Sequence, residues 1–137
     1  MSRLANTAPL RQREPRVRDK KYLAWLHHGL PCAACAIRGD GAAWPGFRVE
    51  AAHIKLGIAS RGWTECGRGV RPSDSRCLPL DAWCHRLAPD ACDVNQRQFF
   101  DRLGLGDAVA DLCSELYQAF QHGQDGAAVI RRWARNG

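Results

Sequence analysis

Cys32 and Cys35 lie two residues apart in the run Leu30-Pro-Cys-Ala-Ala-Cys35, the spacing at which a metal knuckle begins. Asp81 and Cys84 repeat the gap in Asp81-Ala-Trp-Cys84. A tetrahedral site needs four donors, and a carboxylate can replace one thiolate. Cys32, Cys35, Asp81 and Cys84 are therefore a candidate structural zinc site, with Cys77 as the substitute for Asp81. The same Cys-x-x-Cys could be a redox pair, but no βαβ pattern surrounds it. Two histidines carry a second kind of chemistry. His53 ends an alternating run, Phe47-Arg-Val-Glu-Ala-Ala-His-Ile54, and His85 directly follows Cys84. A histidine at a strand end, facing a metal bound from an adjacent helix, suits metal-assisted phosphodiester hydrolysis. One imidazole takes the proton from water while the metal stabilises charge on the phosphate and the leaving oxygen.

The chain of 137 residues suits one domain. Its 45% apolar and 25% charged residues are ordinary for a globular protein, and no apolar run reaches the roughly 20 residues of a membrane span. No membrane partner is expected. The N-terminus has no apolar segment of the secretory kind, so the cytoplasm is the default compartment. Seven cysteines, at 32, 35, 66, 77, 84, 92 and 113, are an odd number; in a reducing compartment such clustering points to metal before disulfides. The formal net charge is +6, and 17 of the 20 basic residues are Arg, whose planar fork matches phosphate. Between the two histidines, Lys55, Arg61, Arg68, Arg71 and Arg76 accompany Trp63. These could follow a DNA backbone, with Trp63 stacking on an unpaired base. Nothing reads as a base-reading helix, so low sequence specificity is expected.

The elements that must position these groups are legible in outline. Residues 1–18, with five Arg and two Pro, predict a flexible basic arm. From Asp19, a cap, Tyr22, Leu23, Leu26 and Leu30 share a helical face that stops at Gly29-Leu30-Pro31; His27 and His28 near its end are structural or solvent-facing. The alternation over 47–54 predicts a strand, 55–76 a long loop, and Cys77–Leu80 a short edge strand containing Pro79. A helical turn over 81–87 ends at Pro89. Asn95 and Gln98 predict a capping box for a helix carrying Phe99, Phe100 and Leu103. Leu105, Val109, Leu112, Cys113, Leu116, Tyr117 and Phe120 form a core-facing stripe in which Cys113 packs. A last short helix spans 127–133.

Six pieces, in order over roughly residues 19–120, carry a resemblance: Tyr22-Leu-Ala-Trp-Leu, Leu30-Pro-Cys-Ala-Ala-Cys35, Val49-Glu-Ala-Ala-His-Ile54, Gly69-Val-Arg-Pro-Ser-Asp74, Leu78-Pro-Leu-Asp-Ala-Trp-Cys-His85 and Asn95-Gln-Arg-Gln-Phe-Phe100. Together they resemble the small phage and prophage HNH-type (His-Me finger) nucleases related to the recombination-dependent nuclease Ref. The resemblance implies an α+β fold with a ββα-metal finger braced by a zinc knuckle. Residues 19–137 would form one nuclease domain, with an N-terminal helix and two or three C-terminal helices behind the finger. It implies His53 as general base, Cys84 in the knuckle and His85 in the catalytic centre. It also implies a catalytic divalent cation, Mg²⁺ or Mn²⁺ or else Zn²⁺, and as partners DNA and a recombinase filament. The sequence departs from the pattern twice. Asp81 replaces a cysteine of the second knuckle, and the histidine expected after His85 to hold the catalytic ion is absent. Its slot falls near Asp90 or at Cys92, and Asp90 or Asp93 could hold Mg²⁺ through oxygen. The alternative expectation is a catalytically degenerate, zinc-stabilised DNA-binding or recombination accessory protein. The oligomeric state is left open.

Overall fold

The computed structural model describes residues 16–67 and 70–136. Helix α1 (Lys20–His27) starts at Asp19, whose carboxylate accepts the Tyr22 N–H at 3.0 Å. This satisfies one of the donors that a helix start leaves unpaired. Helix α2 (Ala33–Arg38) starts at the first cysteine pair: Cys32 is its cap, and its sulfur accepts the Cys35 N–H at 3.5 Å. Gly39, at φ +81°, closes α2 in the left-handed conformation that glycine adopts without steric cost.

Strands β1 (Val49–His53) and β2 (Cys77–Asp81) form a two-stranded antiparallel sheet, in register from Val49 opposite Asp81 to His53 opposite Cys77. Pro79 faces Ala51 and lacks an N–H to donate, which an edge strand tolerates. Every residue of β2 is buried, because the sheet is covered on both sides. Tyr22 and Leu26 of α1 pack with Ala51 and Cys77 on one face. Ala52, Ile54, Leu78 and Leu80 join the main core on the other.

After β2 the chain makes a helical turn over Trp83–Leu87 that is wider than an α-helix, with the Ala88 N–H reaching back five residues to the Trp83 carbonyl at 3.0 Å. The return segment is stitched beneath it by Cys92 N–H to the Cys84 carbonyl at 2.8 Å and Asp93 N–H to the His85 carbonyl at 2.9 Å. Helix α3 (Gln96–Arg102) is capped by Asn95, whose side chain accepts the Gln98 N–H at 3.0 Å. A short 3₁₀ turn (Gly106–Ala108) leads into α4 (Val109–Gln121), and α5 (Gly126–Asn136) follows. The buried stripe of α4 runs through Val109, Leu112, Cys113 and Leu116, and Cys113 is packing as the pattern predicts. Helix α5 packs on α2 and α4, and its first residue, Gly126, lies directly against the Trp25 ring.

The architecture is thus mixed α and β, with helices around a small antiparallel sheet. The arm expected through residue 18 lies outside the described residues up to 15. From Arg16 the backbone is tied down: Val17 donates to Ser73 Oγ at 2.9 Å and accepts from the Asp74 N–H at 2.9 Å. The long loop is not featureless either, since Ile58 and Trp63 bridge across a 3₁₀ turn (Ala59–Arg61). Among the described residues no helix is long and apolar enough to cross a membrane.

Candidate metal centre and histidine sites

The β register brings Asp81 beside the start of β1, and the following turn carries Cys84 back toward the N-terminus of α2. One ligand atom each from Cys32, Cys35, Asp81 and Cys84 lies within 4.8 Å of every other, and all four residues are buried. For metal–sulfur bonds of about 2.3 Å, neighbouring sulfurs of a tetrahedron stand about 3.8 Å apart. The Cys35 and Cys84 sulfurs are 3.8 Å apart, and Asp81 Oδ2 is 3.2 Å from the Cys35 sulfur. The cluster could hold a structural metal ion. Cys77, the substitute for Asp81, instead lies at the other end of β2, buried against α1.

The electrostatics of the cluster ask for a cation. Burial pushes the Cys35 thiol up to about 12. Cys84 is pushed up by its hydrogen bond to Cys32 and by burial, and that same bond holds Cys32 down at about 7. Four acidic groups in one dry space cannot all ionise unaided, whereas a divalent ion binds the deprotonated form of each. Backbone donors already favour the charged carboxylate: burial would raise the Asp81 pKa, but N–H groups from Cys84 (2.7 Å) and Trp44 (2.8 Å) outweigh it and hold it low. Arg38 Nη2 donates to the Cys84 sulfur at 3.1 Å and offsets part of the negative charge.

His53 and His85 stand in separate environments. His53 Nε2 is 2.9 Å from Asp74 Oδ1, with the imidazole 17% and the carboxylate 7% exposed. Burial would raise the Asp74 pKa, but its bonds from His53 and from the Asp19 N–H (2.7 Å) prevail and hold it below the ordinary range. An ionised carboxylate only accepts, so Nε2 donates, and in the neutral tautomer this bond selects, Nδ1 is the nitrogen with the lone pair. Nδ1 has no hydrogen-bond partner among the described residues. Asp19 extends the network, accepting from Tyr117 Oη at 2.9 Å.

His85 lies between two carboxylates, with Nδ1 2.8 Å from Glu50 Oε1 and Nε2 3.3 Å from Asp93 Oδ2. Burial lowers its pKa, but Asp93 and Glu50 together outweigh burial and raise it. Glu50 is held low first by Arg86, which reaches both its oxygens at 3.0 and 2.9 Å, and also by His85. With a carboxylate at each ring nitrogen, both partners favour the charged form of the ring, and both nitrogens are engaged within the fold. Glu50 and His53 are three residues apart on β1, so strand alternation sends their side chains to opposite faces. Each histidine thus has its own carboxylate partners, Asp74 for His53 and Glu50 with Asp93 for His85.

Of the residues considered for the missing histidine, Asp93 alone meets His85. The Cys92 side chain is buried in the main core, where burial raises its thiol, and Asp90 lies at the surface beside Arg102. Glu50, His85 and Asp93 have donors suited to a hard divalent ion, but they bracket the ring from two sides and do not converge on a point. They do not fit a preformed catalytic cation site.

The loop residues divide as well. Arg61 is held by Asp111 at 2.9 and 2.7 Å. Arg76 donates to the Thr64 and Leu56 carbonyls and lies over the Trp63 ring at 4.2 Å, so both arginines are engaged within the fold. Lys55 and Arg71 are exposed, and Arg68 lies outside the described residues. Comparison with protein-family models, with curated proteins and with solved structures finds no match. Sequence reasoning missed Glu50 and Asp74 as partners of the histidines. Both lie within the motif runs quoted above, but no periodicity connects His53 to a loop aspartate.

Proposed function

We propose that the protein is a metal-dependent endonuclease of the HNH type that hydrolyses phosphodiester bonds in DNA, in the setting of phage or prophage recombination. The ββα-metal reading rests on the order of its motifs and on a hairpin followed by a helical turn carrying Cys84 and His85. The observation that carries the proposal is the His53–Asp74 pair at the end of β1. Asp74 fixes the tautomer, so Nδ1 is the atom that takes the proton from the attacking water, and Asp74 stabilises the imidazolium that forms. The Cys32–Cys35–Asp81–Cys84 cluster would hold Zn²⁺, whose preference for thiolate-rich tetrahedral sites it matches, and would supply rigidity only. A catalytic Mg²⁺ or Mn²⁺ belongs to the proposal through the resemblance, and no step is assigned to it.

A specific observation favours a second reading. Both ring nitrogens of His85 are taken up, by Glu50 and Asp93, an arrangement that suits a zinc-stabilised DNA-binding or recombination accessory protein without cleavage.

The two are separated by cleavage of supercoiled plasmid and of single strands, in EDTA and in Mg²⁺ or Mn²⁺, with and without a recombinase filament. The nuclease reading expects metal-dependent nicking that falls about 10²–10⁴-fold in His53→Ala, the usual range for a lost general base. Equal rates for variant and wild type would remove His53 from the mechanism. Salt-sensitive DNA binding with no cleavage under any condition would establish the second reading.

A further inference from the structure

Trp44, in the loop between α2 and β1, is 43% exposed, which is unusual for the largest apolar side chain. Its ring centroid is 5.8 Å from that of Trp83, and Phe47 stands 5.6 Å from Trp83 on the other side. Trp44 and Trp83 line a cavity of about 390 Å³ with Phe99 at its apolar end and Arg38, Asp90 and Arg102 around it. The Arg38 and Arg102 side chains are 37% and 45% exposed. Arg38 donates through Nε to Asp40 at 3.0 Å and through Nη2 to the Cys84 sulfur, and Arg102 through Nη2 to the Asp90 carbonyl at 3.0 Å, which leaves Nη1 of each without a partner among the described residues. Neither indole N–H of the pair has a hydrogen-bond partner among the described residues, whereas that of Trp133 is bound to Glu115 at 3.0 Å.

The Trp44 backbone N–H is bound to Asp81, and Trp83 immediately precedes Cys84, so the backbone beneath both rings is tied to the buried cluster. Arg48, next to Phe47, is exposed, and its guanidinium has no ion-pair partner among the described residues. Trp63, expected to stack on a base, is covered by Arg76, so the uncovered indole surface lies here.

We propose that the Trp44–Trp83 cavity binds an unpaired base of single-stranded DNA, stacked on the exposed Trp44 indole with Trp83 inclined beside it at 52°, and with adjacent phosphates on Arg102 and Arg38. Flat apolar walls match a base, and arginines on a chain of net charge +6 match a polyanion. An apolar peptide would use the walls but not the arginines. The proposal rests on the reading of DNA as the partner, not on cleavage.

Fluorescence anisotropy with fluorescein-labelled dT12 and a 12-base-pair duplex, without added divalent cation, tests it on the full chain. Trp44→Ala is expected to weaken dT12 binding about tenfold, the effect of losing one base–aromatic stack, and to change duplex binding by less than about twofold. Trp44→Phe should restore most of the affinity. Arg102→Gln should make the salt dependence for dT12 shallower by about 0.7 in the log–log slope, as for one lost phosphate contact. Affinity for dT12 unmoved by Trp44→Ala, as for a peptide site, or equal losses on dT12 and duplex, would overturn this proposal alone. Wild-type protein that binds neither DNA would overturn it together with the reading of DNA as partner.

Discussion

Asp81 accepts two backbone N–H groups, from Cys84 and Trp44, while one of its oxygens faces the Cys35 sulfur. It is at once the cap of the turn that follows β2 and the fourth donor of the cluster. Asp81→Ala removes both roles, whereas Asp81→Cys restores a donor. The cobalt-substituted protein should show thiolate-to-metal absorption in wild type and Asp81→Cys, and Asp81→Ala should bind at least about 10–100-fold more weakly. Equal affinity in all three would take Asp81 out of the ligand set. Asp74 makes a different prediction. Its carboxyl is held below the ordinary range in the fold, so its ionised form stabilises the protein above the unfolded pKa of about 3.9. That contribution is lost as pH falls through the depressed folded value. Asp74→Asn should therefore cost about 1–3 kcal/mol at pH 7 and progressively less in acid, read from urea midpoints of the two proteins across pH.

At the scale of elements, the sheet is too small to stand alone and depends on what covers it. Helix α1 covers the Ala51–Cys77 face through Tyr22 and Leu26, and Trp25 of the same helix stacks on Tyr22 and packs tilted against Phe120. Helix α5 closes against that ring at Gly126, where an added Cβ would stand 2.8 Å from Trp25 Cζ2 and 3.0 Å from Leu30 Cδ2, with Trp25 Cη2 closer still. The indole packs against Tyr22 and Phe120, so yielding to the new methyl would disturb both contacts. Gly126→Ala should destabilise the protein by about 1–3 kcal/mol through overpacking, despite alanine's better helix propensity. Thermal denaturation of the variant checks this, and an unchanged or raised midpoint would show that α5 is free to shift.

For the whole molecule, the Cys32–Cys35–Asp81–Cys84 cluster, which could hold a metal ion, joins distant parts of the chain: α2, the end of β2 and the turn after it. Three of its residues also belong to the main hydrophobic core. Metal removal would leave buried thiols and a buried carboxylate without the cation that lets them ionise together. Chelation should lower the thermal midpoint by more than about 10 °C, given roughly 3–6 °C per kcal/mol at this size, and zinc should restore it. A midpoint indifferent to chelator would make the cluster a purely packed one.

Local signals stood in the sequence wherever chemistry and chain geometry coincide over a few residues. The Cys32–Cys35 and Asp81–Cys84 pairs share a two-residue gap, Asp19 and Asn95 cap the helices they precede, and the α4 stripe repeats with the helical period. Those signals were enough to name the four members of the metal cluster and the α+β class. Tertiary structure alone decided which face each side chain leaves and what meets it there. A register of His53 opposite Cys77, with period-two alternation along β1, gives His53 to Asp74 and Glu50 to His85, partners that no local pattern in the sequence connects. It likewise covers Trp63 with Arg76 and leaves Trp44 open, because cover depends on which loops fold over a ring and not on the ring's neighbours in the chain.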